Sequence, residues 1–169
     1  QTSWPERPVR VVVPFPASGA TDLIARVVTQ RVAQDLGQQL VVDNKPGAGG
    51  TIGSAEVAKA APDGYTVLFT TSSTHAISPH LMPRLSYDAT KDFTPVAHVA
   101  DAPSVLLVTP SLPVKSVAEL IAYAKAHPGK LNYATSGNGT IVHLNSAAFS
   151  AQAGIDMTHV PYKGTALSI

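Results

Sequence analysis

Three short stretches of small and hydroxyl-bearing residues concentrate what chemistry this chain could perform. The first, Pro14-Phe15-Pro16-Ala17-Ser18-Gly19-Ala20-Thr21-Asp22, lies between a β-branched run and an apolar pattern of helical spacing, so it is the loop that opens a helix. A helix N-terminus presents unpaired amides and a partial positive charge, and residues as small as Ala17, Ser18, Gly19 and Ala20 let an anionic group come close to the backbone. The same residues would equally serve a tight strand-to-helix turn in which Thr21 or Asp22 only caps the helix. The second stretch, Ser136-Gly137-Asn138-Gly139-Thr140, repeats this arrangement further along, with glycines able to take positive φ and to aim successive amides at an anion. The third, Thr70-Thr71-Ser72-Ser73-Thr74, is a run of hydroxyls, of which Ser72 and Thr74 are the candidate contacts; its plainer reading is a solvated connection.

Other chemistries find little support. Gly47-Ala48-Gly49-Gly50-Thr51-Ile52-Gly53 follows a strand and precedes a helix, but it lacks the dinucleotide spacing and the acidic residue about 20 positions on, so it is assigned to backbone geometry. The six histidines, His75, His80, His98, His127, His143 and His159, form no compact ligand pattern, and no cysteine is present, so neither a metal nor any other cofactor is expected. There is no GxSxG elbow, Walker A lysine or carboxylate pair, and the chain is read as a binding protein, not an enzyme. A net charge of +1 with scattered Lys and Arg argues against nucleic acid.

The elements that must position these loops alternate. Residues 9–13 are a β-branched run without polar alternation, as in a strand buried on both faces of a parallel sheet. Leu23, Ile24, Val27, Val28, Val32 and Leu36 recur at helical spacing before Gly37, a C-terminal cap. Residues 40–42 give a second strand, 52–61 a helix, Pro62-Asp63-Gly64 a turn and 65–70 a third strand. Two extended runs, 93–99 and 104–109, lead into a second lobe. Ser116 and Glu119 make a capping box for a helix whose buried face is Val117, Leu120, Ile121 and Ala124; a strand over 131–134, a helix over 140–153 closed by Gly154 and a strand over 158–162 follow. The pattern is α/β with parallel-sheet lobes. The boundaries are a first lobe over 1–101 and an incomplete second lobe over 102–169, whose sheet lacks its completing elements at Ile169.

No apolar run approaches the ~20 residues of a membrane-spanning helix, and the start Gln1-Thr2-Ser3-Trp4 reads like a chain from which a signal peptide has been removed, or one cut for expression.

Residues 10–16 (RVVVPFP), 44–50 (NKPGAGG), 61–66 (APDGYT), 92–96 (DFTPV) and 161–164 (PYKG) together resemble the Bug family, the extracytoplasmic solute receptors of tripartite tricarboxylate transporters. The resemblance covers nearly the whole chain in order. It implies a periplasmic, Venus-flytrap-type protein whose cleft holds a small carboxylate, with membrane components of a tripartite transporter as partners. On that resemblance Phe15 to Asp22 is the first-lobe grip, Ser72 and Thr74 a side wall, Ser136 to Thr140 the second-lobe amide nest, and Lys163 either a source of positive charge or a plain exposed lysine. Two departures stand out. Family members are nearly twice this length, and their usual Pro-Gly-Gly is Pro16-Ala17-Ser18-Gly19 here. A receptor that hands the ligand to a signalling partner, and a truncated remnant that self-associates into a homo-oligomer, remain open beside the transport reading.

Overall fold

The computed structural model describes residues 4–169; Gln1, Thr2 and Ser3, on which the reading of a processed N-terminus in part rests, lie outside the described residues. Strand β1 (Val9–Val13) is the centre of a three-stranded parallel sheet of order β2-β1-β3, with β2 at Leu40–Asn44 and β3 at Thr66–Leu68. Val11 and Val12 point to opposite faces and are 2% and 0% exposed, so both faces are covered and the unbroken β-branched run is explained. Helix α1 (Ala20–Leu36) links β1 to β2 and ends on Gly37 at φ 65°, the left-handed cap that glycine adopts without steric cost. Its inward side is Asp22, Ala25 and Thr29, while Leu23 and Val27 face outward at 56% and 71% exposure.

Helix α2 (Thr51–Ala58) follows a one-turn 3-10 helix, Ala48–Gly50. The glycines here are spent on geometry, as their pattern suggests: a methyl on Gly53 would lie 2.8 Å from the Lys45 carbonyl oxygen, and one on Gly50 2.7 Å from Thr74 Cγ2. After β3 the hydroxyl-rich segment is not a loop. Ser73–Ile77 is a π-helical turn that runs into a short helix α3 (Ser78–Leu81), and Ser73, Thr74 and Ser78 are buried.

The extended runs 93–99 and 104–109 form no strands. Val105, Leu106 and Leu107 are 75%, 55% and 67% exposed. The valines and threonines of these runs supply propensity, but among the described residues no neighbouring strand supplies the ladder. Beyond them α4 (Val117–Ala126) carries the expected cap: Ser116 Oγ accepts from Glu119 N–H at 3.2 Å, and Glu119 Oε2 reaches back to Lys115 N–H at 2.6 Å. Leu120 and Ala124 are buried, whereas Val117, expected on the same face, is 53% exposed because it sits in the first turn, off the packed end. Strands β4 (Leu131–Thr135) and β5 (Met157–Pro161) pair in parallel and are joined by α5 (Ile141–Ala153), which closes on Gly154 at φ 62°. Among the described residues no helix is long and apolar enough to cross a membrane.

Candidate ligand-binding cleft

One cavity of about 1950 Å³ reaches from the carboxyl ends of β1, β3 and β4 along the uncovered sides of β3 and β4 to the end of α2. Its carboxyl-end part is where open parallel sheets collect ligands; the whole exceeds the ~300–1000 Å³ of a typical small-molecule site, and residues 92–109 form a broad outer wall. Of the residues singled out from sequence, Phe15, Ala17, Gly19, Ala20, Thr21, Ser72, Ser136 and Thr140 line it together. Ser18, Asp22, Thr74, Gly137, Asn138 and Gly139 are not on its wall.

The first-sheet loop is held from beneath. Asp22 is 2% exposed, and its carboxylate accepts from Ser18 N–H at 2.8 Å, Arg26 Nε at 3.0 Å and Asn44 Nδ2 at 2.9 Å. Asn44 Nδ2 also donates to the Phe15 carbonyl at 3.1 Å. Burial pushes the Asp22 pKa up, but the hydrogen bonds from Arg26, Ser18 and Asn44 and the Arg26 charge outweigh it, so the carboxyl is held below its ordinary value. Asp22, expected in the grip, is turned inward to support the loop and is not on the cavity wall. Asn44 and Arg26 escaped the sequence reading. The parallel register, which sets Asn44 opposite Val13, brings the amide under the loop, and no local motif announces it.

What this support presents is the start of α1. Its N-cap is Gly19, no side chain caps the helix, and Gly19, Ala20 and Thr21 face the cavity. A 17-residue helix thus turns its first amides and the positive end of its dipole towards the cavity.

The second-sheet loop is more self-sufficient. Gly137 N–H donates to Thr135 Oγ1 and Gly139 N–H to His143 Nδ1, both at 3.3 Å, and Thr140 Oγ1 accepts from His143 N–H at 3.4 Å. The glycines do take positive φ, 131° and 73°, yet the Gly137, Gly139 and Thr140 amides already have acceptors within the loop and its helix. Ser136, Thr140, Ile141 and Val142 are the parts of this loop and helix on the cavity wall. Beneath them the His143 and His159 rings stack at 4.1 Å, and Thr135 Oγ1 lies 2.6 Å from His159 Nε2. Burial, then repulsion from His143, lowers the His159 pKa.

Thr74, also expected on the wall, is 0% exposed; its hydroxyl lies 2.8 Å from both Thr70 Oγ1 and His75 Nδ1, and its carbonyl accepts from Tyr87 OH at 2.6 Å. It braces the turn that brings Ser73 and His75 to the cavity. Burial lowers the His75 pKa, so near neutral pH this ring offers a hydrogen bond and no charge. Lys163 lines the cavity and is exposed. Among the described residues no group of three His, Cys, Asp or Glu could hold a metal ion.

Comparison with known proteins bears on this arrangement directly. The family model described as the tripartite tricarboxylate transporter family receptor matches residues 24–169. The chain belongs to that family. It is 42% identical over 164 residues to Protein BugT of Bordetella pertussis, covering 96% of this chain and 50% of that one. It is 41% identical over 167 residues to a UPF0065 protein of Pseudomonas sp. strain P51, covering 99% and 49%. Among solved structures, an R. palustris protein with adipate superimposes with a TM-score of 0.95 at 43% identity, covering 98% of this chain and 55% of that one. MatC from Rhodopseudomonas palustris with bound malate gives 0.87 at 39%, covering 95% and 55%, and the periplasmic binding protein BugD 0.81 at 34%, covering 97% and 55%. The fold is therefore the α/β fold of periplasmic binding proteins, and the chain spans about half the length of the curated relatives it matches.

Proposed function

We propose that this receptor-family chain supplies the grip of a periplasmic solute receptor, in which a small carboxylate rests on the start of α1 and is covered by the loop that opens α5, for delivery to the membrane components of a tripartite transporter. The observation that carries the reading is the uncapped N-terminus of α1 at the cavity wall: backbone amides without a capping side chain form a site for a carboxylate that needs no arginine. The adipate and malate of the two R. palustris relatives are the ligand chemistry this points to. The chain acts by binding, without catalysis or a cofactor, and residues 1–101 and 102–169 form the two lobes around the cleft.

Calorimetric titration with adipate and with malate tests the proposal, using Gly19→Asp as the decisive variant. Gly19 has the extended backbone of an N-cap, φ −77° and ψ 166°, so an aspartate there can accept from the α1 amides itself. The expected result is that one of the two acids binds the wild-type chain, that Gly19→Asp weakens it at least tenfold, and that the melting temperature does not fall. Folded wild-type protein that binds neither acid would refute the reading, as would a Gly19→Asp variant of unchanged affinity.

A second reading, self-association through an apolar surface, is favoured by the exposure of Val105, Leu106 and Leu107.

A further inference from the structure

Ser73 sits where the two sheets meet, and its backbone is fixed from both sides. Its N–H donates to Thr71 Oγ1 at 3.3 Å, and its carbonyl accepts from Ser78 Oγ at 2.8 Å. The following residue is anchored by Thr70 and by Tyr87 OH, so the π-helical turn has little freedom. The side chain is left for the other sheet: Ser73 Oγ accepts from Ile141 N–H at 3.0 Å, across 68 residues of sequence. Ser73 is 1% exposed and on the cavity wall.

Ile141 is the first residue of α5, and the amide of that position has no acceptor within its own helix. The third amide, His143, is served from within by Thr140. The first is served by a serine belonging to the other sheet. The neighbouring contacts are backbone or apolar and give no such direction. A methyl on Gly49 would lie 3.0 Å from the Asn138 carbonyl oxygen, one on Gly164 2.9 Å from Pro16 Cγ, and one on Gly139 3.8 Å from Met82 Cε. These approaches are close but carry no donor and acceptor of their own.

We propose that Ser73 is a positioning residue that latches the two halves of the cleft, by supplying from the first sheet the acceptor for the first amide of the second sheet's helix. The bond exists only when the halves are together, and separation would leave an N–H and a hydroxyl to water. Ser73 thereby sets the register at which the α5 start faces the α1 start. The latch builds on the cleft described under the proposed function, but it does not depend on which ligand occupies it.

The test uses the absence of cysteine, which permits clean labelling at two introduced cysteines, Arg31→Cys on α1 and Lys125→Cys on α4, both at exposed positions. Spin-label distances report the separation of the halves, and amide hydrogen exchange reports the bond. In the unlabelled wild type Ile141 should be protected although no intrahelical bond covers it; an unprotected Ile141 overturns the proposal without any mutation. Ser73→Ala should raise Ile141 exchange at least tenfold and lengthen or broaden the distance distribution. Thr29→Ala removes a buried hydroxyl whose bond is to the Arg26 carbonyl within α1, away from the latch, and should do neither. Equal effects of the two variants, or no effect of Ser73→Ala, would reduce Ser73 to local packing. Latch signals that behave as expected in a chain that binds neither adipate nor malate would refute the proposed ligand and leave the latch standing.

Discussion

Asp22 shows how a residue chosen for one kind of chemistry can serve another. The family resemblance marked it as part of a grip, but its oxygens are turned inward to Ser18, Arg26 and Asn44. Asp22→Asn should therefore cost about 1–3 kcal/mol in stability, the range for disturbing a buried, charge-assisted network, and urea unfolding measures it. Because the folded pKa is depressed, the stabilisation is complete above the ordinary value of about 3.9 and is lost as pH falls through the lower folded value. The gap between wild type and variant should consequently be larger at pH 7 than at pH 3, and an equal gap would separate the effect from charge. The loop itself was legible from its neighbours, since glycine, small residues and a following apolar period are local signals. Asn44 was not, because its role arises from strand register, which brings it to Arg26 and Asp22, 18 and 22 positions away; Arg26 stands four residues after Asp22 on α1, a local pairing the reading passed over.

Among the elements, those that end on their own chemistry were readable. Gly37 and Gly154 adopt the left-handed caps expected of them, and Ser116 accepts from the N3 amide as a capping box requires. The runs 93–99 and 104–109, read from sequence as extended, form no ladder for the converse reason: a helix satisfies its own backbone, whereas a strand needs a neighbour that composition cannot specify. The π-helical turn was missed because serine and threonine signal turns, and nothing in the run Ser72-Ser73-Thr74 says that its hydroxyls will be buried. The second glycine loop gives a prediction at this scale. Sequence alone expects substitution of either glycine to weaken binding and spare the fold, but the two positions differ. At Gly137, φ is 131° and a methyl would stand 3.2 Å from the Tyr162 carbonyl oxygen, next to the bond from Tyr162 N–H to Thr135. At Gly139, φ is 73° and the nearest atom is 3.8 Å away. Gly139→Ala should cost about 1–2 kcal/mol from left-handed strain alone. Gly137→Val should cost more and also loosen the junction of β4 with β5, so its melting temperature should be the lower of the two. The reverse order in thermal melts would show that the loop relaxes independently of β5.

For the molecule as a whole, the most consequential feature is the apolar segment that no layer covers. Val96 is 89% exposed, and the run from Val105 to Val108 is nowhere less than 43% exposed. A run of four exposed apolar residues is a template for association, and an identical neighbour presents a matching one. The 169-residue chain on its own should therefore be larger than a monomer by light scattering at micromolar concentration, and Leu107→Lys should shift it towards the monomer. A monomeric wild type with one cooperative melt would contradict this. The parallel α/β architecture was legible from the order of elements, because sheet topology obeys few rules. Which surfaces remain bare was not, since burial is settled by whatever lies across from a residue.

The close approach of Gly164 to Pro16, and of Gly49 to Asn138, makes clearance itself a property of the cleft. The two halves stand at a spacing set by atoms that are missing, two hydrogens in place of two methyl groups. A side chain at either position would behave as a shim, pushing one half away from the other. The spacing across these seams is thus set by clearance as much as by hydrogen bonds, at two residues that have no side chain to offer.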